Sequence, residues 1–222
     1  MLYLIGVGLE DGDMTFKGRD AMKKCSKLFI EDYTSFPYEI EGTEHLNRSE
    51  VESDFLIKLA KNEDIALLIG GDPLFATTHI SLMLDCKEKG VEFGVIHAPS
   101  IINTLSRTGL SPYKFGRIVT ISQNLSSDRE KIERNLEAGL HTLCLINPST
   151  PVLNALEVLL DMGISNKVVY CERLGTKDEV MIYDNLKNLL EIKPSSKPHS
   201  IIIPSKLQFF EEDYLNTLRP HK

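Results

Sequence analysis

Hydrophobic positions along the chain fall into two alternating patterns. Short apolar runs occur at Leu2–Val7, Leu28–Ile30, Ile65–Ile69 and Phe93–Ile96. Runs this short, apolar without polar alternation, fit strands buried on both faces of a parallel sheet. Helically spaced segments lie between them. Phe16, Ala21, Met22 and Cys25 follow Thr15, a residue suited to capping a helix. Ser49 opens a second helix through about Asn62, with Glu52 three residues on as its capping-box partner. Thr77–Lys89 and Ile101–Arg107 also read as helices, and residues 35–48 as a loop with Pro37 and Gly42. Strand, turn, helix, strand in this order predicts right-handed crossovers and a parallel sheet.

The pattern changes at Thr108–Pro112. Beyond it, strands are expected at Phe115–Ser122, Thr142–Ile146, Lys167–Cys171 and Ser200–Ile203. Helices are expected at Arg129–Ala138, Val152–Met162 and about Asn185–Leu190. The chain therefore divides near residue 111 into two α/β domains, 1–111 and 112–222, with no short internal repeat and no low-complexity tract. Its 222 residues suffice for two small cores.

Composition narrows the function classes. Hydrophobic residues at 42% and charged residues at 26% are those of a folded globular chain. A formal net charge of -7 disfavours a nucleic-acid partner, which calls for a basic face. The apolar start ends at Val7 and has no basic segment before it, so neither a signal peptide nor a membrane span is expected. Cys25, Cys86, Cys144 and Cys171 form no C-x-x-C pair. They read as buried thiols of a reducing compartment, not as a disulfide framework or a zinc site, and the expected location is the cytoplasm. No histidine cluster suggests a metal.

Candidate chemistry sits at strand ends. Gly6-Val7-Gly8 occupies the place of a dinucleotide-binding turn, and Glu31 the place of a ribose-binding acid. Gly12, however, comes one residue too late for G-x-G-x-x-G, so a plain tight turn competes with a ligand turn. Gly70-Gly71-Asp72-Pro73 is stronger. Two glycines after a buried strand let a ligand approach the backbone, and Asp72 offers a carboxylate to an amine, a hydroxyl or a positive charge. A turn built from Gly, Asp and Pro is the plainer alternative. His79 follows at a helix start, where packing or capping is favoured over catalysis. His97-Ala98-Pro99-Ser100-Ile101 ends the next strand, with Ser100 placed to cap a helix or to line the same crevice. Three such turns at one edge of one sheet are better evidence for a site than any one of them. Tyr113, Lys114 and Arg117 form a turn past the junction: Lys114 and Arg117 suit an acidic group of a substrate, or the turn is solvated with Tyr113 packed. No P-loop, G-x-S-x-G elbow, H-E-x-x-H or EF-hand loop is present, and no convincing nucleophile–base pair.

These motifs together resemble the diphthine synthase family of the tetrapyrrole-methylase fold superfamily. The likeness is carried by Leu4-Ile5-Gly6-Val7-Gly8-Leu9, Gly71-Asp72-Pro73-Leu74-Phe75-Ala76-Thr77-Thr78-His79, His97-Ala98-Pro99-Ser100-Ile101, Tyr113-Lys114-Phe115-Gly116, Gly139-Leu140-His141-Thr142-Leu143 and Pro198-His199. It runs nearly end to end. The resemblance implies two α/β domains with a ligand cleft between them, and S-adenosyl-L-methionine (SAM) as cofactor, leaving S-adenosyl-L-homocysteine as product. It implies a homodimer whose protein substrate is translation elongation factor 2, methylated on the amino group of a modified histidine during diphthamide biosynthesis. By motif position, the cofactor-binding residues implied are Leu9, Asp72, Phe75, Ser100, Ile101, Ile146, Leu174 and His199. Phe75 and Leu174 are bulkier than the family's usual residues there, Asn147 replaces an acid, and the stretches around residues 37–50 and 147–166 are short for the family. A tetrapyrrole methyltransferase, a nicotinamide-dependent oxidoreductase and a SAM-binding member without turnover are the competing readings.

Overall fold

A computed structural model describes residues 1–32, 38–121 and 125–218. Residues 35–37 of the expected loop and Ser122 at the end of an expected strand lie outside them. The chain forms two compact units, Met1–Asn103 and Thr104–Lys222.

The first unit contains β1 (Leu2–Gly6), α1 (Phe16–Met22), β2 (Lys27–Glu31), β3 (Thr43–Leu46), α2 (Arg48–Val51), α3 (Phe55–Ala60), β4 (Ile65–Ile69), α4 (Ile80–Glu88) and β5 (Phe93–Ile96), and runs into α5 (Ile101–Thr104). Its strands are all parallel, in the order β3-β2-β4-β1-β5. Every residue of β4 is buried, as expected for the central strand of a covered sheet. Side chains alternate between faces. Leu2, Leu4, Ile65, Leu67 and Ile69 pack with Leu56, Ile57, Leu82 and Cys86 of α3 and α4, whereas Ile5, Val7, Ile30, Ala66 and Leu68 pack with Met14 and Ala21 on the α1 side. From β1 the chain crosses β4 to reach β2, and from β4 it crosses β1 to reach β5. The carboxyl ends of β1 and β4 therefore face a topological switch point, where open α/β sheets leave a crevice for a ligand.

The second unit contains β6 (Val119–Ile121), α6 (Leu125–Glu137), β7 (Thr142–Ile146), α7 (Val152–Asp161), β8 (Lys167–Glu172), β9 (Val180–Asn185), α8 (Leu186–Leu189), β10 (His199–Ile203) and α9 (Phe209–Thr217). Its sheet has the order β6-β7-β10-β8-β9. Only β6 and β7 pair in parallel, and β10 runs antiparallel to both neighbours. The core packs Ile132, Ala155, Leu156, Leu159, Leu186 and Leu189 against Val168, Tyr170, Ile201 and Ile203.

Several sequence expectations need correction. The expected helix from Ser49 to Asn62 is two short helices, and the capping box belongs to Asn47 and Glu50. Asn47 Oδ1 accepts from the Glu50 N–H at 3.1 Å, and Glu50 Oε2 accepts from the Asn47 N–H at 2.8 Å. The helix expected from Thr77 begins at Ile80, and that from Ile101 becomes a 3₁₀ turn at Leu105–Thr108. The strand expected from Phe115 pairs regularly only over Val119–Ile121, with an isolated bridge between Phe115 and His141. Strands β3 and β9 and helix α9 were not expected at all.

Candidate functional site

Three turns meet at the switch point of the first unit. Gly8 and Gly71 form an antiparallel bridge, the Gly71 N–H donating to Gly8 O at 2.8 Å and the Gly8 N–H to Gly71 O at 3.3 Å. A Cβ on Gly6 would lie 2.6 Å from Gly71 O and 3.0 Å from Ala98 Cβ, so only glycine lets the turns after β1, β4 and β5 close this tightly. A Cβ on Gly71 would stand 3.5 Å from Ser100 Cβ. The convergence read from the sequence is thus present in the fold, with Leu9, Asp72, Phe75, Ser100 and Ile101 on these three turns. Ser100 caps differently from expectation: its N–H and its Oγ both bond to Asn103 Oδ1, at 3.0 and 3.3 Å.

The turn after β1 is closed by the chain's own carboxylate. Asp13 Oδ2 accepts from the N–H groups of Leu9 at 2.9 Å and Glu10 at 3.2 Å. These are the donors a pyrophosphate would need, so Asp13 opposes the nicotinamide reading. Glu31 opposes it too. Its carboxylate is fully buried, and Oε2 lies 2.8 Å from His79 Nε2 instead of facing a ribose. His79 is itself buried, with Nδ1 at 3.0 Å from Pro73 O and 2.8 Å from Thr77 Oγ1. It is a packing residue that ties the Asp72 loop to the end of β2.

Asp72 stands at the opening of that loop. Its Oδ1 accepts from the Leu74 N–H at 3.0 Å, and its Oδ2 lies 2.7 Å from His97 Nδ1. Ala76, in the same loop, holds φ at 56°, a left-handed conformation that costs an alanine about 1–2 kcal/mol.

In the second unit, strand register gathers the other three residues at one sheet edge. β7 and β8 both end there, and β10 begins there, His199 pairing with Glu172 and Ser200 with both Cys171 and Leu145. Ile146 closes β7 and packs against the core. Leu174 is buried just after Arg173, whose φ of 45° is also left-handed. His199 lies against the Tyr170 ring, centroids 5.9 Å apart, and its Nε2 is buried with no hydrogen-bond partner among the described residues. Burial holds this imidazole below its usual pKa, against the opposing pull of Glu172. Burial alone would raise Glu172, but Ser195, Tyr170 and the Ser195 and Ser196 N–H groups more than offset it and keep the carboxylate ionised.

The turn at residues 113–117 is structural. Lys114 Nζ is spent on Glu211 Oε2 and Lys206 O, both at 2.6 Å. Arg117 is held through its backbone by Asn135. Tyr113, expected to pack if the turn is solvated, is 97% exposed. Among the described residues no group of His, Cys, Asp or Glu is placed to hold a metal ion, and no helix is long and apolar enough to cross a membrane.

Sequence reasoning missed Asp13, Asn103, Asn135 and the two left-handed residues. Asp13 had a signal, an acid five residues past a glycine turn. Ala76 and Arg173 had none, because nothing in those side chains marks positive φ.

Comparison with known proteins is in line with this geometry. Residues 1–190 match the family described as Tetrapyrrole (Corrin/Porphyrin) Methylases. The diphthine synthase of Methanocaldococcus jannaschii is 38% identical, covering 98% of this chain and 98% of its own. That of Methanococcus maripaludis is 35% identical with the same two coverages. A crystal structure of diphthine synthase superposes with a TM-score of 0.90 at 30% identity, over 98% of this chain and 95% of its own. The chain therefore belongs to the tetrapyrrole methylases and, among them, to the diphthine synthase family.

Proposed function

We propose that this protein is a SAM-dependent methyltransferase of diphthamide biosynthesis, acting on the amino group of the aminocarboxypropyl-histidine of translation elongation factor 2. The observation that carries the reading is the likeness to diphthine synthases over nearly the whole chain, joined to a ligand edge of three converging turns around Asp72. The residues present fit such a cofactor. Glycines let the three turns close on one another, Asp72 supplies an acceptor for an amine or hydroxyl, and His199 Nε2 is a buried polar atom in need of a partner. Leu9, Asp72, Phe75, Ser100 and Ile101 are the residues assigned to SAM in the first unit, and Ile146, Leu174 and His199 those assigned in the second.

Bound SAM supplies a methyl group on a sulfonium, open to in-line attack by a neutral amine. The chain's task is to hold the amine in line and partly desolvated, which also favours its neutral form. The reading includes a cytoplasmic homodimer. Its excess of acidic residues suits a substrate with a basic surface. Incubation with methyl-labelled SAM tests the assignment. Label should enter elongation factor 2 that carries the aminocarboxypropyl-histidine and leave the factor with a plain histidine unlabelled. Equal labelling of both, or of a tetrapyrrole alone, would contradict it.

A further inference from the structure

Methyl transfer to an ammonium-bearing side chain requires a proton to leave before each attack, and family likeness gives none of the implied cofactor-binding residues that task. We infer that Asp72 and His97 form a dyad in which His97 Nε2 accepts that proton. The inference rests on the methyltransferase reading and adds the residue that deprotonates the amine.

The geometry supplies each part. Asp72 Oδ2 lies 2.7 Å from His97 Nδ1, and Asp72 is itself fixed by the Leu74 N–H on its other oxygen. An ionised carboxylate only accepts, so Nδ1 carries the proton of the neutral ring and Nε2 is left with its lone pair outward. This is how a buried acid sets the tautomer of a histidine base. The Asp72 side chain is 15% exposed and the His97 side chain 67% exposed. The anchoring end is therefore shielded while the ring stands open to an incoming side chain and to water. No hydrogen bond of Nε2 to a described residue competes for it. His97 directly follows β5 and opens the turn whose Ala98 and Ser100 stand against Gly6 and Gly71, so it belongs to the ligand edge. His79, the other histidine of this edge, is excluded: it is buried and engaged at both nitrogens.

The step balances. The ammonium N–H proton passes to Nε2, and its bonding pair stays on the amine nitrogen. That pair forms the N–C bond as the sulfonium S–C bond breaks, its electrons remaining on a neutral thioether sulfur. The exposed imidazolium then releases its proton to water.

Three measurements test the dyad. The ¹⁵N shifts of His97 in the ligand-free protein should show the Nδ1–H tautomer, lost in Asp72→Ala. His97→Asn keeps a side-chain N–H for Asp72 but has no base. It should bind SAM within about twofold of the wild type yet transfer methyl in single turnover roughly 10²–10⁴-fold more slowly. An Nε2–H tautomer in the wild type overturns the dyad. A wild-type rate in His97→Asn overturns the base and leaves His97 only orienting Asp72. A loss of SAM affinity as large as the loss of rate overturns it equally. If the wild type binds SAM but methylates no elongation factor, the substrate reading and the base fall together, while the tautomer still decides the pairing.

Discussion

At the scale of single residues, the proposed ligand edge is built from side chains absent and side chains restrained. Gly6 and Gly71 matter for what they lack. Asp72 matters because two neighbours fix it before any ligand arrives, which lowers the ordering cost of binding. Asp72→Ala should weaken SAM binding at least tenfold in a titration calorimeter, with little change in melting temperature; wild-type affinity would remove Asp72 from the site. The place of Asp72, His97 and Ser100 just past strand ends was legible because strand ends in a parallel sheet are read directly from apolar runs and glycines. The pairing of His97 with Asp72 was not, since it depends on where β4 and β5 lie relative to β1. Nor was the fate of Glu31: its spacing suggested a ribose acid, and only the packed position of His79 shows the carboxylate closed off.

At the scale of elements, the unexpected strands share a position. β3 and β9 are the edge strands of their sheets. An edge strand needs few buried side chains and tolerates charge, so Thr43-Glu44-His45-Leu46 reads as loop, whereas Val180-Met181-Ile182-Tyr183 carried an apolar strand signal that the sequence reading missed. Missing β9 also hid the antiparallel character of the second sheet. Close approach of elements makes its own prediction. Gly6→Ala places a Cβ 2.6 Å from backbone and should cost about 1–3 kcal/mol in denaturant unfolding and abolish SAM binding. Gly42→Ala meets nothing within 4 Å and has only its φ of 79° against it, so it should cost about 1 kcal/mol and leave binding intact. Equal effects of the two would deny the Gly6 turn its role.

The start of α9 gives a further element-scale prediction. Glu211 is buried, and burial alone would raise its pKa. Hydrogen bonds from Lys114, the Gln208 and Ser111 N–H groups and His141 outweigh burial and hold it down at about 2. His141 is pushed down by burial, against Glu211, and so is neutral; its Nδ1 accepts from the Ser205 N–H at 2.9 Å, leaving Nε2–H for Glu211. Both folded-state values are depressed. Their stabilisation is full above the unfolded values and is lost as pH falls, for His141 below about 6.5 and for Glu211 between about 4.5 and 2. Glu211→Gln should therefore cost on the order of 3 kcal/mol at neutral pH and converge with the wild type near pH 2. A pH-independent difference between the two would contradict the linkage.

At the scale of the whole molecule, the two units carry sheets of different construction. The first sheet, all parallel, offers a switch point that physics alone marks as a ligand site. The second, mixed, gathers Ile146, Leu174 and His199 at one edge through register, which no motif shorter than the family pattern discloses. Fold class and the convergence of the three turns were thus readable from periodicity and glycines. The activity and the second edge rested on resemblance, because a methyl donor leaves no catalytic signature like a nucleophile–base pair. The most direct test of the account is intact-mass spectrometry of elongation factor 2 carrying the aminocarboxypropyl-histidine, incubated with this protein and SAM. Stepwise gains of whole methyl groups are predicted, with the last step giving their number. A factor of unchanged mass, with SAM binding established separately, would contradict the assigned activity.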